Sequence, residues 1–502
     1  YMPENVETLG QLRARAEEVG CARGLDVFLD NLERSFAGFV LPAPIPVAVV
    51  LCARRPVRLI GTKSDIELLP YVIELRAEQG RQSLFAQGDD EPVSPAAHYQ
   101  SISAPLLRSL SGLPTQPPLV MLGCGSVGSK LALHAARSGQ DILCVSDQSS
   151  LRPHNMARHA LGPSHVPNGK AKALAKELEG FGLRPEVHEG DLGRDLREQK
   201  LAKKLLPKRA GAIINSTASL SVREALVDAA TPRHRVRLFE AALFGRGRGS
   251  FLLADGPRHN PNLADLMVEM YATIDGTPAS KLLFDPTEGL AEIRIGQGCG
   301  SLTMQMSDAR LSAMTASLAL EVNELLAAPA TDGTIVMGTM DDGTPATSWV
   351  RFQVPPFETV EIAGTDGWEL RISKRVADRI RAEAASYSTV ETGGVMIGCT
   401  SARLKTVTVV DLLDAPPNSQ RSAALFVLGT QGLHAAIEAR HEASGKTLFD
   451  VGTWHSHLQD AGPSGTDWKT AAELAAERTP PSILLIATPR RFHALMHKKE
   501  PD

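Results

Sequence analysis

Gly123-Cys124-Gly125-Ser126-Val127-Gly128-Ser129 is the stretch from which this chain is read. It follows the apolar run Leu119-Val120-Met121-Leu122 and leads into Lys130-Leu131-Ala132-Leu133-His134-Ala135-Ala136. Strand, glycine turn, helix is the setting in which G-x-G-x-x-G binds a nucleotide. Glycines let the backbone approach a phosphate, and the amides at the helix start face its charge. Asp147 lies 19 positions after Gly128, at the end of the apolar stretch Ile142-Leu143-Cys144-Val145-Ser146. A Rossmann-type fold holds a ribose hydroxyl with an acid at about that place. Helix-like runs at 170–178, 219–229 and 307–325 alternate with strand-like runs at 212–215, 237–242 and 250–253. The alternation predicts an α/β domain over 113–356, with a parallel or mixed sheet and helices on both faces.

The rest of the chain adds two regions. Residues 1–112 carry helical spacing over 12–36 and strand-like runs at 47–52 and 57–60, read as a pair around Arg54-Arg55-Pro56. Residues 66–75 fit helix or strand, and 88–95 read as an acidic loop. This is a small α+β region without a catalytic constellation. Pro355-Pro356 marks a boundary, and 357–502 read as a separate α+β domain. The net charge of −4 over 502 residues leaves no basic footprint for nucleic acid. No apolar run of about 18 residues suggests a membrane span, and no secretory leader is expected. The six cysteines are scattered and form no C-x-x-C, so reduced thiols in the cytoplasm are expected.

The strand-like run Phe449-Asp450-Val451-Gly452-Thr453 ends in Trp454-His455-Ser456-His457. Histidines at i and i+2 on a strand point the same way and can reach one metal. Asp467, in Ser464-Gly465-Thr466-Asp467, can add an oxygen ligand. Three protein ligands and a water make the open geometry of catalytic zinc, and a nearby carboxyl must then move the proton. Glu391, ahead of Thr392-Gly393-Gly394, is the candidate. Glu391, Gly393-Gly394-Val395-Met396-Ile397-Gly398, the H-x-H, Ser464 and Asp467 together resemble the JAMM (MPN/JAB-type) zinc metalloproteases. The resemblance covers about 357–502. It implies zinc on His455, His457 and Asp467, Glu391 as general acid/base, Ser464 as an oxyanion stabiliser, and cleavage at the C-terminus of ubiquitin-like proteins. Leu458 stands where a proline is usual, and the spacing from H-x-H to serine is one residue short of the commonest form.

After Asp147 the chain carries Asn155 and Arg158, then Gly169 and Lys172. A hydride-transfer enzyme has no need of such a cluster, whereas cations and an amide donor offset the charge of a triphosphate. Glycine loop, Asp, N-x-x-R and G-x-x-K in this order resemble the ThiF/MoeB-like, ubiquitin-activating superfamily over about 113–330. The resemblance implies ATP with magnesium on Gly123, Gly125, Gly128, Asp147, Asn155, Arg158 and Lys172. It implies a homodimer as well. Ala218 stands where the family has a magnesium-assisting aspartate, while Arg223 matches. Cys299, in Gly296-Gln297-Gly298-Cys299-Gly300-Ser301, is the candidate nucleophile toward an acyl-adenylate.

The combined reading is a bifunctional enzyme of a bacterial ubiquitin-like pathway. One half adenylates a ubiquitin-like C-terminus and the other hydrolyses bonds to it, with a conjugating enzyme as a further partner. The alternative is a working protease on a degenerate, non-catalytic ThiF-like platform, motivated by Ala218. A nicotinamide-dependent oxidoreductase is a third reading, against which the Asn155/Arg158/Lys172 cluster speaks.

Overall fold

The computed structural model describes residues 5–60, 62–76, 83–230, 236–285, 287, 291–294, 300–303, 305–477 and 481–497. Cys299 lies outside them. The chain divides into two compact units, Tyr1–Gly112 and Leu113–Asp502. Among the described residues no helix is long and apolar enough to cross a membrane.

In the first unit, helices Leu9–Glu18 and Ala22–Phe36 pack on an antiparallel sheet of Ile45–Arg54, Ile66–Leu75 and Val93–Pro95. The run 57–60 is not the partner of the first strand. Ile45–Arg54 pairs instead with Ile66–Leu75, from Ile45↔Leu75 to Arg54↔Ile66. The reason is the pattern of side chains. Tyr71, Ile73 and Leu75 alternate onto a buried face, whereas Val57, Leu59 and Ile60 are exposed.

The second unit holds a sheet and a barrel. The eight-stranded sheet runs Thr347–Val354, Gly333–Met340, Gly249–Ala254, Arg237–Phe244, Ala212–Asn215, Leu119–Leu122, Ile142–Ser146, Glu186–His188. The last five are mutually parallel, and the first three join antiparallel. Leu119–Leu122, Ile142–Ser146 and Ala212–Asn215 are buried at every position, which requires cover on both faces. This is the expected Rossmann-like α/β architecture. The sequence suggested turns and short strands over 331–356. The structure has two eight-residue strands there, which extend the sheet.

The remaining strands close a barrel in the order Glu358–Ala363, Glu369–Ile372, Thr406–Asp414, Gly393–Ser401, Phe449–Ser456, Ile483–Ala487, Phe492–Leu495. Two of these, Glu358–Ala363 and Phe492–Leu495, were not expected from sequence. They pair with each other and remove the open edges of the α+β unit.

Sheet and barrel share one apolar core, in which Leu122, Ile213, Leu253 and Ile335 meet Val395, Ile397, Val410 and Leu448. Polar clamps reinforce it. Arg371 donates to both oxygens of Asp265, Nε to Oδ1 at 2.7 Å and NH2 to Oδ2 at 2.6 Å, with both side chains buried. The Asn260 side chain takes both the N–H and the C=O of Phe357, just past the two prolines. Arg371→Met leaves the Asp265 carboxylate buried without its cation. Loss of one partner of a buried pair costs about 3–5 kcal/mol. Denaturant unfolding followed by tryptophan fluorescence should show that loss. A change below about 1 kcal/mol would mean that solvent reaches Asp265.

Candidate metal centre and nucleotide cleft

Phe449–Ser456 pairs antiparallel with Gly393–Ser401, with Gly393 opposite His455 and Gly394 opposite Trp454. The pairing continues past the strand end, because Ser456 N–H donates to Thr392 O at 2.7 Å and Thr392 N–H donates to Ser456 Oγ at 3.0 Å. Glu391 is thereby held beside the H-x-H, and its own N–H donates to Ser422 O at 2.8 Å. Gly393 permits this approach. A Cβ there would lie 2.2 Å from Trp454 O and 2.6 Å from Phe426 Cε1.

His455, His457 and Asp467 converge. The two Nε2 atoms are 3.2 Å apart, and Asp467 offers Oδ1 at 3.1 Å from His455 and Oδ2 at 3.5 Å from His457. Ligands about 2.0–2.1 Å from one tetrahedral zinc are separated by roughly 3.3–3.4 Å. The triangle therefore has the size of a zinc face, and two imidazoles with one carboxylate are a donor set that zinc accepts. His457 Nδ1 lies 3.4 Å from Ala461 O, a contact that orients the ring. Burial pushes the Asp467 carboxyl up. Hydrogen bonds from His455, Ser464 N–H at 2.6 Å and the Ser464 side chain outweigh it and hold the group below the usual carboxylate range. Ser464 Oγ in turn accepts from Asp467 N–H at 3.2 Å, which caps the helix Gly465–Glu477. Glu391 is buried, and burial raises its carboxyl pKa against the opposing pull of His455 and His457.

The second site is a cleft of about 430 Å³ at the carboxyl ends of the parallel strands, lined by Gly123, Gly125, Asp147, Lys170, Ser216 and Thr217 among others. Gly123 has φ +92°, a conformation that glycine adopts without strain. Gly128 sits against it, and a Cβ at 128 would meet Gly123 O at 2.0 Å. Asp147 accepts from Cys124 N–H at 2.9 Å and Ser149 N–H at 2.8 Å, so this acid also shapes the loop. Cys124 is buried, and burial pushes its thiol well up.

Other sequence candidates are placed differently. Asn155 Oδ1 accepts from Arg152 N–H at 2.9 Å and caps the short helix Pro153–Ala157. Arg158 is half-buried, and burial lowers its pKa. Asn155, Arg158 and Lys172 are not among the cleft residues, and Lys172 is exposed. The cation at the cleft is Lys170, the first residue of the helix Lys170–Glu179. Arg223 donates to both oxygens of buried Glu240, at 2.8 and 2.6 Å. Ala218 is exposed with φ +53°, a left-handed conformation that Asn and Asp tolerate better than alanine. The sequence reading did not single out Lys170, Ser216 or Thr217. The signal available for them was position alone, since ligands of α/β sheets bind outside the carboxyl ends of the strands.

Residues 373–498 match the family model described as prokaryotic homologs of the JAB domain. The chain is 30% identical over 106 residues to a CD-NTase/cGAS isopeptidase of Enterobacter hormaechei subsp. hoffmannii, covering 21% of this chain and 57% of that protein. It is 29% identical over 218 residues to the ATP-dependent ubiquitin transferase-like protein Cap2 of Vibrio cholerae serotype O1, covering 41% of this chain and 34% of that protein. The chain thus spans only part of each relative. Among solved structures, E. coli MccB with ATP is a distant likeness at 13% identity and TM-score 0.32, covering 50% of this chain and 68% of that one. The JAB-type resemblance read from the sequence is the one the family model finds over 373–498, and the relatives' names belong to ubiquitin-like transfer and isopeptide chemistry.

The Asp467 shift has a pH consequence. Its folded pKa lies below the unfolded value of about 3.9. The stabilisation is therefore complete above that value and is lost as pH falls toward the folded one. In chelator-treated protein, wild type should exceed Asp467→Asn in unfolding free energy at pH 7, and the gap should shrink below about pH 4. A gap independent of pH would show that the carboxylate charge contributes nothing.

Proposed function

We propose that the chain is a bifunctional enzyme of a bacterial ubiquitin-like pathway. In this reading the barrel hydrolyses peptide or isopeptide bonds at the C-terminus of a ubiquitin-like protein. The observation that carries it is the zinc-sized triangle of His455, His457 and Asp467 beside buried Glu391. Zinc at that triangle would supply Lewis acidity and a water acidified toward neutral pH. Glu391, with its raised pKa, would take a proton from the nucleophile and return it to the leaving amine. Ser464 Oγ accepts from Asp467 N–H, and its hydroxyl proton, shared with the Asp467 carboxylate, would turn to a developing oxyanion.

The sheet would adenylate the same C-terminus with ATP and magnesium. Gly123, Gly125 and Gly128 would cradle phosphate, Asp147 would hold ribose, and Lys170 would face the phosphates. Asn155, Arg158 and Lys172 are the further candidate phosphate contacts. Cys299 is the candidate nucleophile: its thiolate would attack the acyl-adenylate carbonyl, form a thioester and expel AMP. The similarity to Cap2 supports this half. The second reading, a binding platform that no longer adenylates, is favoured by exposed Ala218 and by the engagement of Arg223 with Glu240.

Purified protein should contain about one zinc per chain, as three-ligand catalytic sites do. Glu391→Gln should keep the metal and lose at least about 100-fold in cleavage of a C-terminally extended ubiquitin-like protein. His455→Ala should lose metal and cleavage together, and absence of zinc from folded wild type would refute the hydrolytic half. Partner-dependent pyrophosphate exchange separates the two readings of the sheet. Exchange lost in Lys170→Ala supports adenylation, and no exchange in a cleavage-competent wild type supports the platform.

A further inference from the structure

We infer that His159 is a positioning residue of the nucleotide cleft: its imidazole holds the Cys124 carbonyl so that the Gly125 amide faces the phosphates of ATP. The inference rests on the reading of this cleft as a nucleotide site. His159 follows Arg158 and is buried at 7% exposure. Leu161 N–H donates to His159 Nδ1 at 3.2 Å, so that nitrogen is an acceptor and the ring proton sits on Nε2. Nε2 then donates to Cys124 O at 2.8 Å. Burial lowers the His159 pKa, which favours the neutral ring this arrangement needs.

The consequence follows from peptide geometry. In a trans peptide the C=O of one residue and the N–H of the next point in opposite directions. Fixing the Cys124 carbonyl toward His159 therefore turns the Gly125 N–H away from it. Gly125 lines the cleft, and among the described residues no acceptor takes its N–H. The peptide before Cys124 is fixed too, because Cys124 N–H donates to Asp147 Oδ2 at 2.9 Å. A second tie joins the same segments, from Ala160 N–H to Ser129 Oγ at 3.3 Å. Together these bonds hold an amide ready at the helix start, where anions bind.

The test compares ATP with adenosine, by calorimetry on the full chain, in wild type, His159→Phe and His159→Gln. His159→Phe should weaken ATP about fivefold or more, the scale of one lost hydrogen bond, and leave adenosine within about twofold. His159→Gln should restore ATP binding, because an amide can donate to Cys124 O and accept from Leu161 N–H together. A His159→Phe variant that binds ATP as wild type does, or that loses ATP and adenosine equally, overturns the inference. Wild type that binds no ATP overturns the reading of the cleft itself. If His159→Phe does not fold, nitrogen-15 spectra of wild type decide the matter: a proton on Nε2 is required, and one on Nδ1 overturns the role.

Discussion

The pairing of Gly393–Ser401 with Phe449–Ser456 is the constraint on which the barrel and its site depend. One ladder does three things. It sets His455 opposite Gly393, so that the approach to the His455, His457 and Asp467 triangle is made by a residue without a side chain. It carries on through Thr392 and Ser456 and so holds Glu391 at the same end. It also presents Val395 and Ile397 to the core shared with the sheet, while Met396 faces the core inside the barrel. A slip by one residue would exchange those faces and carry the Glu391 carboxyl away from the histidines.

The glycine loop obeys the same logic at smaller scale. Gly123 and Gly128 touch at a distance that no Cβ allows, and the Cys124 peptide groups are tied by Asp147 on one side and His159 on the other. Phosphate cradles need their amides aimed before the anion arrives, because each amide supplies little by itself. Asp147 thus serves the loop as well as any ribose. Arg223, which in sequence matches a landmark of the resembled superfamily, neutralises buried Glu240.

Sheet and barrel sit on one continuous core, with Arg371–Asp265 and Asn260–Phe357 sealing its polar edge. That continuity makes the sheet and the barrel one structural body. The barrel loop after Ser401 touches the helices beside the cleft, through Ser401 to Glu224 at 2.6 Å and Arg403 to Gly193 O at 3.2 Å.

The chemistry-bearing groups were legible in the sequence where they lie close along the chain. G-x-G-x-x-G between an apolar run and a helix, and H-x-H at the end of a strand with Asp467 ten residues beyond His457, carry their geometry in their spacing. Helices such as Lys170–Glu179 and Lys374–Ser386 and buried strands such as Ala212–Asn215 were readable from periodicity. Partnerships between distant segments were not. That Ile45–Arg54 chooses Ile66–Leu75, that Glu358–Ala363 meets Phe492–Leu495, and that Lys170 rather than Lys172 reaches the cleft depend on which faces are buried once the chain is folded. His159 is the clearest case: a histidine after an arginine says nothing by itself. Only the tertiary fold brings its ring to a carbonyl 35 residues back, because a side-chain hydrogen bond between distant segments leaves no periodic mark in sequence.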